Sequence, residues 1–299
     1  MGLVMSKGLI VLDLDGTVTN KPYGVPAEVS DQLEAYVNDG WLVTIATGRC
    51  FGFARFLAKG FPNPLFVGLQ NGAAVIRFPD QEILIRNYIT SADVKLIAHL
   101  ANKHKVGFAI EAGVERNDAY YYVHASPVDE VEAAMFYDRS IHYFKSESKE
   151  FLVHYLINFD DYPFLDCAMI TFSLPLEKAK PLYDEIEKMN KFNVSLIVDA
   201  WRKGHYLLHI NNKKAGKGSV IDLLKGHEFV AKHNHFVIVG GDDTNDIPML
   251  KKGDFKIVMN TAPLHMLELA DFIAPAAAEM GIILGLQKGA DAYRKIFKN

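Results

Sequence analysis

Short apolar runs alternate with amphipathic helical stretches at both ends of this chain, and that rhythm leaves few folds open. "GLIVL" precedes a stretch opened by Pro26, with Val29, Leu33, Tyr36 and Val37 on one face and a stop at Gly40. "WLVTIATGR" is the next apolar run, followed by a helix that passes Phe56 and ends by Gly60. "PLFVGLQNGAAVIRF" supplies a third strand, an Asn71-Gly72 turn and a further strand before Pro79-Asp80 breaks the chain. In the last hundred residues "YLLHINN", "HFVIVGGDD" and "FKIVMN" read as strands, and "GKGSVIDLLKG", "NDIPMLKKG" and "APLHMLELA" as helices. Such alternation predicts an α/β fold with a doubly wound parallel sheet and helices on both faces.

The middle of the chain is different. Aromatic-rich strands such as "AYYYVH" and "CAMITFSL" alternate there with helices such as "SADVKLIAHLANKHK" and "LEKAKPLYDEIEKMNK". This mixture reads as an α+β unit lying between the two halves of the parallel domain.

Three of the apolar runs stop at polar residues: Asp13 with Asp15, Thr47 with Gly48, and Asp242 with Asp243 and Asp246. Lys217 opens a predicted helix behind Gly216. Open parallel sheets bind ligands outside the carboxyl ends of their strands, which is where these residues fall. A buried carboxylate without a partner costs several kcal/mol, so acids gathered at one edge require a cation, donors or a chemical task. Oxygen-rich sets suit a hard cation, most naturally Mg²⁺. A hydroxyl, a lysine and backbone amides beside it suit a phosphate group. The acids outnumber what the metal needs, leaving one carboxylate as nucleophile and another as proton carrier. Phosphoryl transfer through an aspartyl phosphate would use every part.

Each feature also has a plainer reading. Asp13 and Asp15 could form a turn after a strand, and Thr47 alone reads as a helix cap. Lys217 has solvated-looking neighbours in Lys213 and Lys214. Only their recurrence at successive strand ends turns the balance toward a site. "GKGS" is not a nucleotide-binding phosphate loop: no serine or threonine follows Lys217 directly, and the earlier glycine is missing. His233 and His235 sit in a polar connection and read as solvated. Cys50 reads as a small residue packed behind a loop, and "YYY" at 120–122 as a packed strand.

The four motifs "DLDGT" (13–17), "ATGR" (46–49), Lys217-Gly218 and "GDDTND" (241–246) resemble, in order, those of the haloacid dehalogenase-like phosphatase superfamily. "NGA" at 71–73 and the tail "VMNTAPLHMLELADFIAP…EMGI" are similar to its Cof-type, class IIB branch. The resemblance implies a core in two halves, 1–81 and 200–299, with an inserted α+β cap at 82–199 that sets substrate specificity. It implies Asp13 as nucleophile and Asp15 as general acid/base. Mg²⁺ would be held by the Asp13 carboxylate, the Asp15 carbonyl and Asp242, with Asp246 bonding a metal-bound water. Thr47, Gly48, Lys217 and Asn245 would serve the phosphate. Asp243 stands where the family often has serine, which adds a negative charge near the metal.

The expected activity is therefore a Mg²⁺-dependent phosphatase acting on a small phosphorylated metabolite, a sugar phosphate first among them. A phosphomutase and a non-catalytic phosphometabolite sensor are the alternatives. Dehalogenation fits poorly, because it has no leaving alkoxide for Asp15 to protonate. With 49% hydrophobic and 23% charged residues and a net charge of -4, the 299-residue chain reads as a soluble globular protein and not as a general nucleic-acid binder. No apolar run approaches the roughly 18 residues of a membrane span. Asp13 and Asp15 interrupt the first apolar run too soon for a signal-peptide core. "MGLVMS" matches a weak myristoylation pattern, but reads as a short arm before the first strand. Two cysteines, Cys50 and Cys167, suit a reducing cytoplasm. A monomer or small homo-oligomer is expected.

Overall fold

Strand β1 (Gly8–Leu12) is buried along all five residues, so it must have strands on both edges and helices on both faces. The computed structural model, which describes residues 7–20, 24–124, 153–199, 202–226 and 236–297, supplies them. The segment MGLVMS and the histidines at 233 and 235 lie outside the described residues.

β1 pairs in parallel with β2 (Trp41–Ala46) on one side and β12 (Phe236–Gly241) on the other. From β2 the sheet continues through β3 (Leu65–Leu69), β4 (Ala74–Phe78) and β5 (Glu82–Arg86). From β12 it continues through β13 (Phe255–Met259) and β14 (Phe272–Ala274). All pairs from β14 to β3 are parallel, and β4 returns antiparallel to β3. The chain thus winds outward in both directions from β1, which makes the carboxyl end of β1 the topological switch point.

The faces are covered as the alternation predicts. Leu9, Val11, Val237 and Val239 pack against Val220, Ile221 and Leu224 of α5 (Lys217–Lys225) and against Met249 and Leu250 of α6 (Ile247–Leu250). On the opposite face α1 (Ala27–Asn38) packs on β2 and α8 (Gly281–Phe297) on β12, β13 and β14. Two further helices, α2 (Phe51–Ala58) and α7 (Leu264–Leu267), complete the crossovers. No helix among the described residues is long and apolar enough to cross a membrane.

A second sheet has the order β10 (Phe192–Val198), β11 (His205–Asn212), β9 (Met169–Pro175), β6 (Phe108–Glu111), β7 (Tyr120–Val123), β8 (Val153–Leu156). Its pairs are antiparallel except β7 with β8. Helices α3 (Ser91–His104) and α4 (Leu176–Lys188) close one apolar cluster over it, with Ile97, Leu182 and Ile186 against Phe108, Phe172 and Leu208.

The chain divides into two compact units. One comprises Met1–Gly48, Ala54–Ile85 and Gly216–Asn299; the other comprises Arg49–Phe53 and Arg86–Ala215. Both crossings lie one strand away from the expected divisions at 81/82 and 199/200. β5 is the edge of the first sheet, and β11, read from sequence as a core strand, pairs with β9 and β10 in the second. Strand pairing is non-local, so a strand's membership is decided by partners far away in the chain.

Candidate active site

Each acidic group stands where a buried strand stops. Leu12 lies opposite Gly240, and the Asp13 amide donates to the Gly240 carbonyl at 2.9 Å, so Asp13 leaves the sheet with its backbone still in register. The chain then folds back tightly: the Val18 and Thr19 amides both donate to the Leu14 carbonyl at 3.0 Å. This turn buries Asp13 and leaves Asp15 exposed. Gly16 sits at φ +81°, and a Cβ on it would lie 2.1 Å from Asp242 Oδ2. Only glycine lets this loop approach Asp242 so closely. Thr17, the last residue of "DLDGT", also joins this site, a task the motif alone does not disclose: its Oγ1 donates to Asp242 Oδ1 at 3.0 Å.

On the other side of the switch point, β12 ends at Gly241 and a single turn, Thr244–Asp246, follows. Asp246 is fully buried, and its Oδ2 accepts the amides of Asp242 and Asp243 at 3.0 and 3.1 Å. Asp243 caps the turn by accepting the Thr244 amide at 2.6 Å. The residue thus has a local structural task as well as its charge.

Lys217 is the first residue of α5 and is 3% exposed. Its Nζ donates to Asp13 Oδ1 at 2.5 Å and to Asp246 Oδ1 at 2.6 Å. Gly218 makes this reach possible, since a Cβ there would lie 2.4 Å from the Pro248 carbonyl oxygen and push α5 off the 246–250 turn. Thr47 is buried at the end of β2, its amide donating to the Gly68 carbonyl and its carbonyl accepting from Asn71, both at 2.9 Å. Gly48 follows it, half-buried. Asn245 is half-buried, and its Oδ1 is a buried acceptor with no hydrogen-bond partner among the described residues. The structure therefore brings Asp13, Lys217, Asp242 and Asp246 into one cluster and sets Thr47 and Gly48 on the same sheet edge. Cys50 is buried, as expected of a packing residue.

Three carboxylates against one ammonium leave the cluster short of positive charge. Burial pushes the Asp13 carboxyl well above its ordinary range; Lys217 opposes this, while Asp246, Asp242 and Asp15 reinforce it. Burial likewise raises Asp242 to about 7, with Asp246 adding and Lys217 and the Thr17 hydroxyl opposing. Burial also raises Asp243. Burial works against the charge on Lys217, but Asp13 and Asp246 outweigh it and hold the ammonium protonated.

Carboxylate oxygens of Asp13, Asp242 and Asp246 lie within 4.8 Å of one another. Hard oxygen donors in a loop cradle that a Cβ at Gly16 would fill make a set that fits a divalent cation. Asp246 belongs to that cluster as an anchor: its two oxygens already accept from Lys217 and from two amides.

Comparison with known proteins follows the same lines. Residues 10–286 match the family model for haloacid dehalogenase-like hydrolases. The chain is 22% identical over 284 residues to the 5-amino-6-(5-phospho-D-ribitylamino)uracil phosphatase YwtE of Bacillus subtilis, covering 91% of this chain and 94% of that one. Among solved structures it is similar to BT1666, a haloalkanoate-superfamily phosphatase from Bacteroides thetaiotaomicron, at TM-score 0.74 and 19% identity over 95% and 96% of the two chains. It is also similar to the subclass IIB sugar phosphatase BT4131, at TM-score 0.71 and 20% identity over 94% and 98%.

Proposed function

The chain belongs to the haloacid dehalogenase-like hydrolase family, and on that premise we propose that it is a Mg²⁺-dependent phosphatase that cleaves a small phosphate ester, a sugar phosphate first among them, through a phosphorylated Asp13. The observation that carries this reading is the buried Lys217 ammonium held between Asp13 and Asp246, beside Asp242, at the switch point of a parallel sheet. A buried ammonium facing a strand-end carboxylate opposes its protonation and offers positive charge to an incoming anion.

In the first step an Asp13 carboxylate oxygen bonds to phosphorus as the bond from phosphorus to the leaving oxygen breaks. Asp15 gives its proton to that departing oxygen, a task suited to its exposed position. In the second step water bonds to phosphorus, Asp15 takes a proton from it, and the bond from phosphorus to Asp13 breaks. Phosphate leaves and both aspartates return to their starting states. Thr47, the Gly48 amide and Lys217 hydrogen-bond the phosphate oxygens, with Asn245 as polar support. The Asp13 carboxylate, the Asp15 carbonyl and Asp242 would hold Mg²⁺, anchored by Asp246; when bound, it offsets the negative charge that otherwise keeps a phosphate dianion away from a carboxylate.

The second compact unit, with the expected 82–199 segment as its bulk, is the part read as setting specificity, since the strand-end groups address only phosphate and metal. Two relatives carry names that specify phosphate esters of small molecules, a ribitylaminouracil phosphate and sugar phosphates, and support that substrate class. A cytoplasmic location accords with two buried cysteines. The test is phosphate release from a panel of phosphorylated metabolites, with p-nitrophenyl phosphate as reference. Turnover should require Mg²⁺ and vanish in Asp13→Asn. Full activity after exhaustive chelation, or in Asp13→Asn, would overturn the reading.

A further inference from the structure

Between β3 and β4 the chain turns through three consecutive residues with positive φ: Gln70 at +46°, Asn71 at +58° and Gly72 at +84°. An Asn-Gly hairpin turn accounts for the last two, since both central residues of such a turn take that region. It does not account for Gln70, a residue type that seldom adopts it. All three are buried, so the strain sits inside the molecule and not at a loose hairpin tip. Strained backbone persists only where the surroundings enforce it, and it gathers where it serves a task.

The turn touches two of the loops assigned to phosphate. On one side the Asn71 amide donates to the Thr47 carbonyl, and the Thr47 amide donates to the Gly68 carbonyl, both at 2.9 Å. The same hairpin thus holds both backbone groups of Thr47. A Cβ on Gly48 would lie 3.4 Å from Asn71 Oδ1, so that side chain rests against Gly48. On the other side a Cβ on Gly72 would lie 2.7 Å from the Gly216 carbonyl oxygen. That carbonyl is fixed in its turn, accepting the Ser219 amide at 2.9 Å and the Ser219 hydroxyl at 2.7 Å. Gly216 immediately precedes Lys217. All of these residues belong to the first compact unit.

We propose that the left-handed turn Gln70–Gly72 is a spacer for the phosphate site. Its residues are positioning residues: they hold Thr47 and Gly48 at a fixed separation from Lys217, so that both sides bind one phosphoryl group. The backbone carries this role, and none of the three residues needs to touch phosphate. The inference rests on the phosphatase reading above and deepens it, giving a task to residues outside the strand-end acids. Asn71 suits the position because asparagine tolerates positive φ, and Gly72 because any side chain there would push Gly216 away.

Phosphate affinity measured beside metal affinity separates spacing from general damage, because the proposed metal ligands Asp13, Asp15 and Asp242 are not among these contacts. The full chain is assayed with p-nitrophenyl phosphate at saturating Mg²⁺, with inorganic phosphate as the competing probe. In Gly72→Ala the phosphate Ki and the ester KM should rise about tenfold and kcat/KM fall about 10²-fold, the effect of a displacement near 1 Å. Mg²⁺ affinity by isothermal titration should stay at the wild-type value. Asn71→Ala should shift the same constants in the same direction by less, while Asn71→Gly, which holds positive φ without strain, should match the wild type. Ki and KM do not depend on the fraction of enzyme that folds, and Asn71→Ala serves if Gly72→Ala does not fold. Wild-type Ki in the alanine variants, or an equal loss of Mg²⁺ affinity, would overturn the spacer and leave the phosphatase reading standing. Asn71→Gly as weak as Asn71→Ala would move the role from the backbone to the side chain and overturn the proposal as stated. No hydrolysis of p-nitrophenyl phosphate by the wild type would overturn the phosphatase reading and this inference with it.

Discussion

The side chain of Asp246 reaches back to the backbone amide of Asp242, 3.0 Å away. Its other oxygen accepts from Lys217 at 2.6 Å, so one buried carboxylate fixes both the turn that presents Asp242 and the lysine that faces Asp13. Asp246→Asn preserves the shape but replaces one acceptor by an NH₂ donor, which must then face either the ammonium or the amides. Breaking a buried charge pair from one side costs about 3–5 kcal/mol. Urea unfolding should show a loss of that order, together with weaker metal binding. A wild-type unfolding midpoint in Asp246→Asn would refute the anchoring role.

Lys217→Met should separate two effects of the same ammonium. Without it Asp13 and Asp246 confront each other with no counter-charge from the described residues of the cluster, so a divalent cation takes over as its source of positive charge. Mg²⁺ should therefore bind more tightly and raise Tm by more than in the wild type. Turnover should nevertheless fall about 10²–10³-fold, the usual effect of losing a donor to a transition-state oxygen. Isothermal titration and phosphate release measure the two; weaker Mg²⁺ binding in the variant contradicts the charge argument.

The cluster also predicts how metal and pH interact. Asp242 is raised to about 7 and Asp13 is raised too, so the folded, metal-free chain keeps protons that the unfolded chain has lost. A carboxyl raised in this way contributes stability below its unfolded value near 4, and that contribution is lost as pH rises through about 7. Metal binding has the reverse dependence, because the ligands must be ionised. The difference in Tm between Mg²⁺-loaded and chelated protein should grow from pH 5 to 8. A constant difference across that range would show that these carboxyls do not govern metal affinity.

Much of this site was legible because apolar runs that stop at acids mark strand ends, and α/β topology brings such ends to one edge. Asp13, Lys217, Asp242 and Asp246 meet accordingly. What the residues did not reveal is non-local. The anchoring of Asp246 depends on backbone amides, and Thr17 finds Asp242 across 225 residues of chain. The misplacement of β11 had a readable cue. "FVIVGG" is buried throughout, as a strand inside a parallel sheet must be. In "HYLLHINN", by contrast, His209 and Asn211 alternate with Leu208 and Ile210, the pattern of an antiparallel strand with one polar face.

Asp15 gives the sharpest test of mechanism, because its side chain is exposed while Asp13 is buried in the cluster. Loss of turnover in Asp13→Asn fits a nucleophile and equally fits a metal ligand. Asp15 is assigned to the metal only through its carbonyl, so Asp15→Asn should leave Mg²⁺ and phosphate binding largely intact. On the proposed mechanism it removes the acid that protonates the departing oxygen and the base that activates water, together worth about 10²–10⁴-fold. p-Nitrophenolate leaves readily without a proton, so with p-nitrophenyl phosphate the first step should survive better than the second. Phosphorylated Asp13 should then accumulate and appear by rapid-quench mass spectrometry as a phosphoryl adduct on the peptide containing "DLDGT". Loss of Mg²⁺ binding in Asp15→Asn, or wild-type turnover of every ester, would show that proton transfer is not its task.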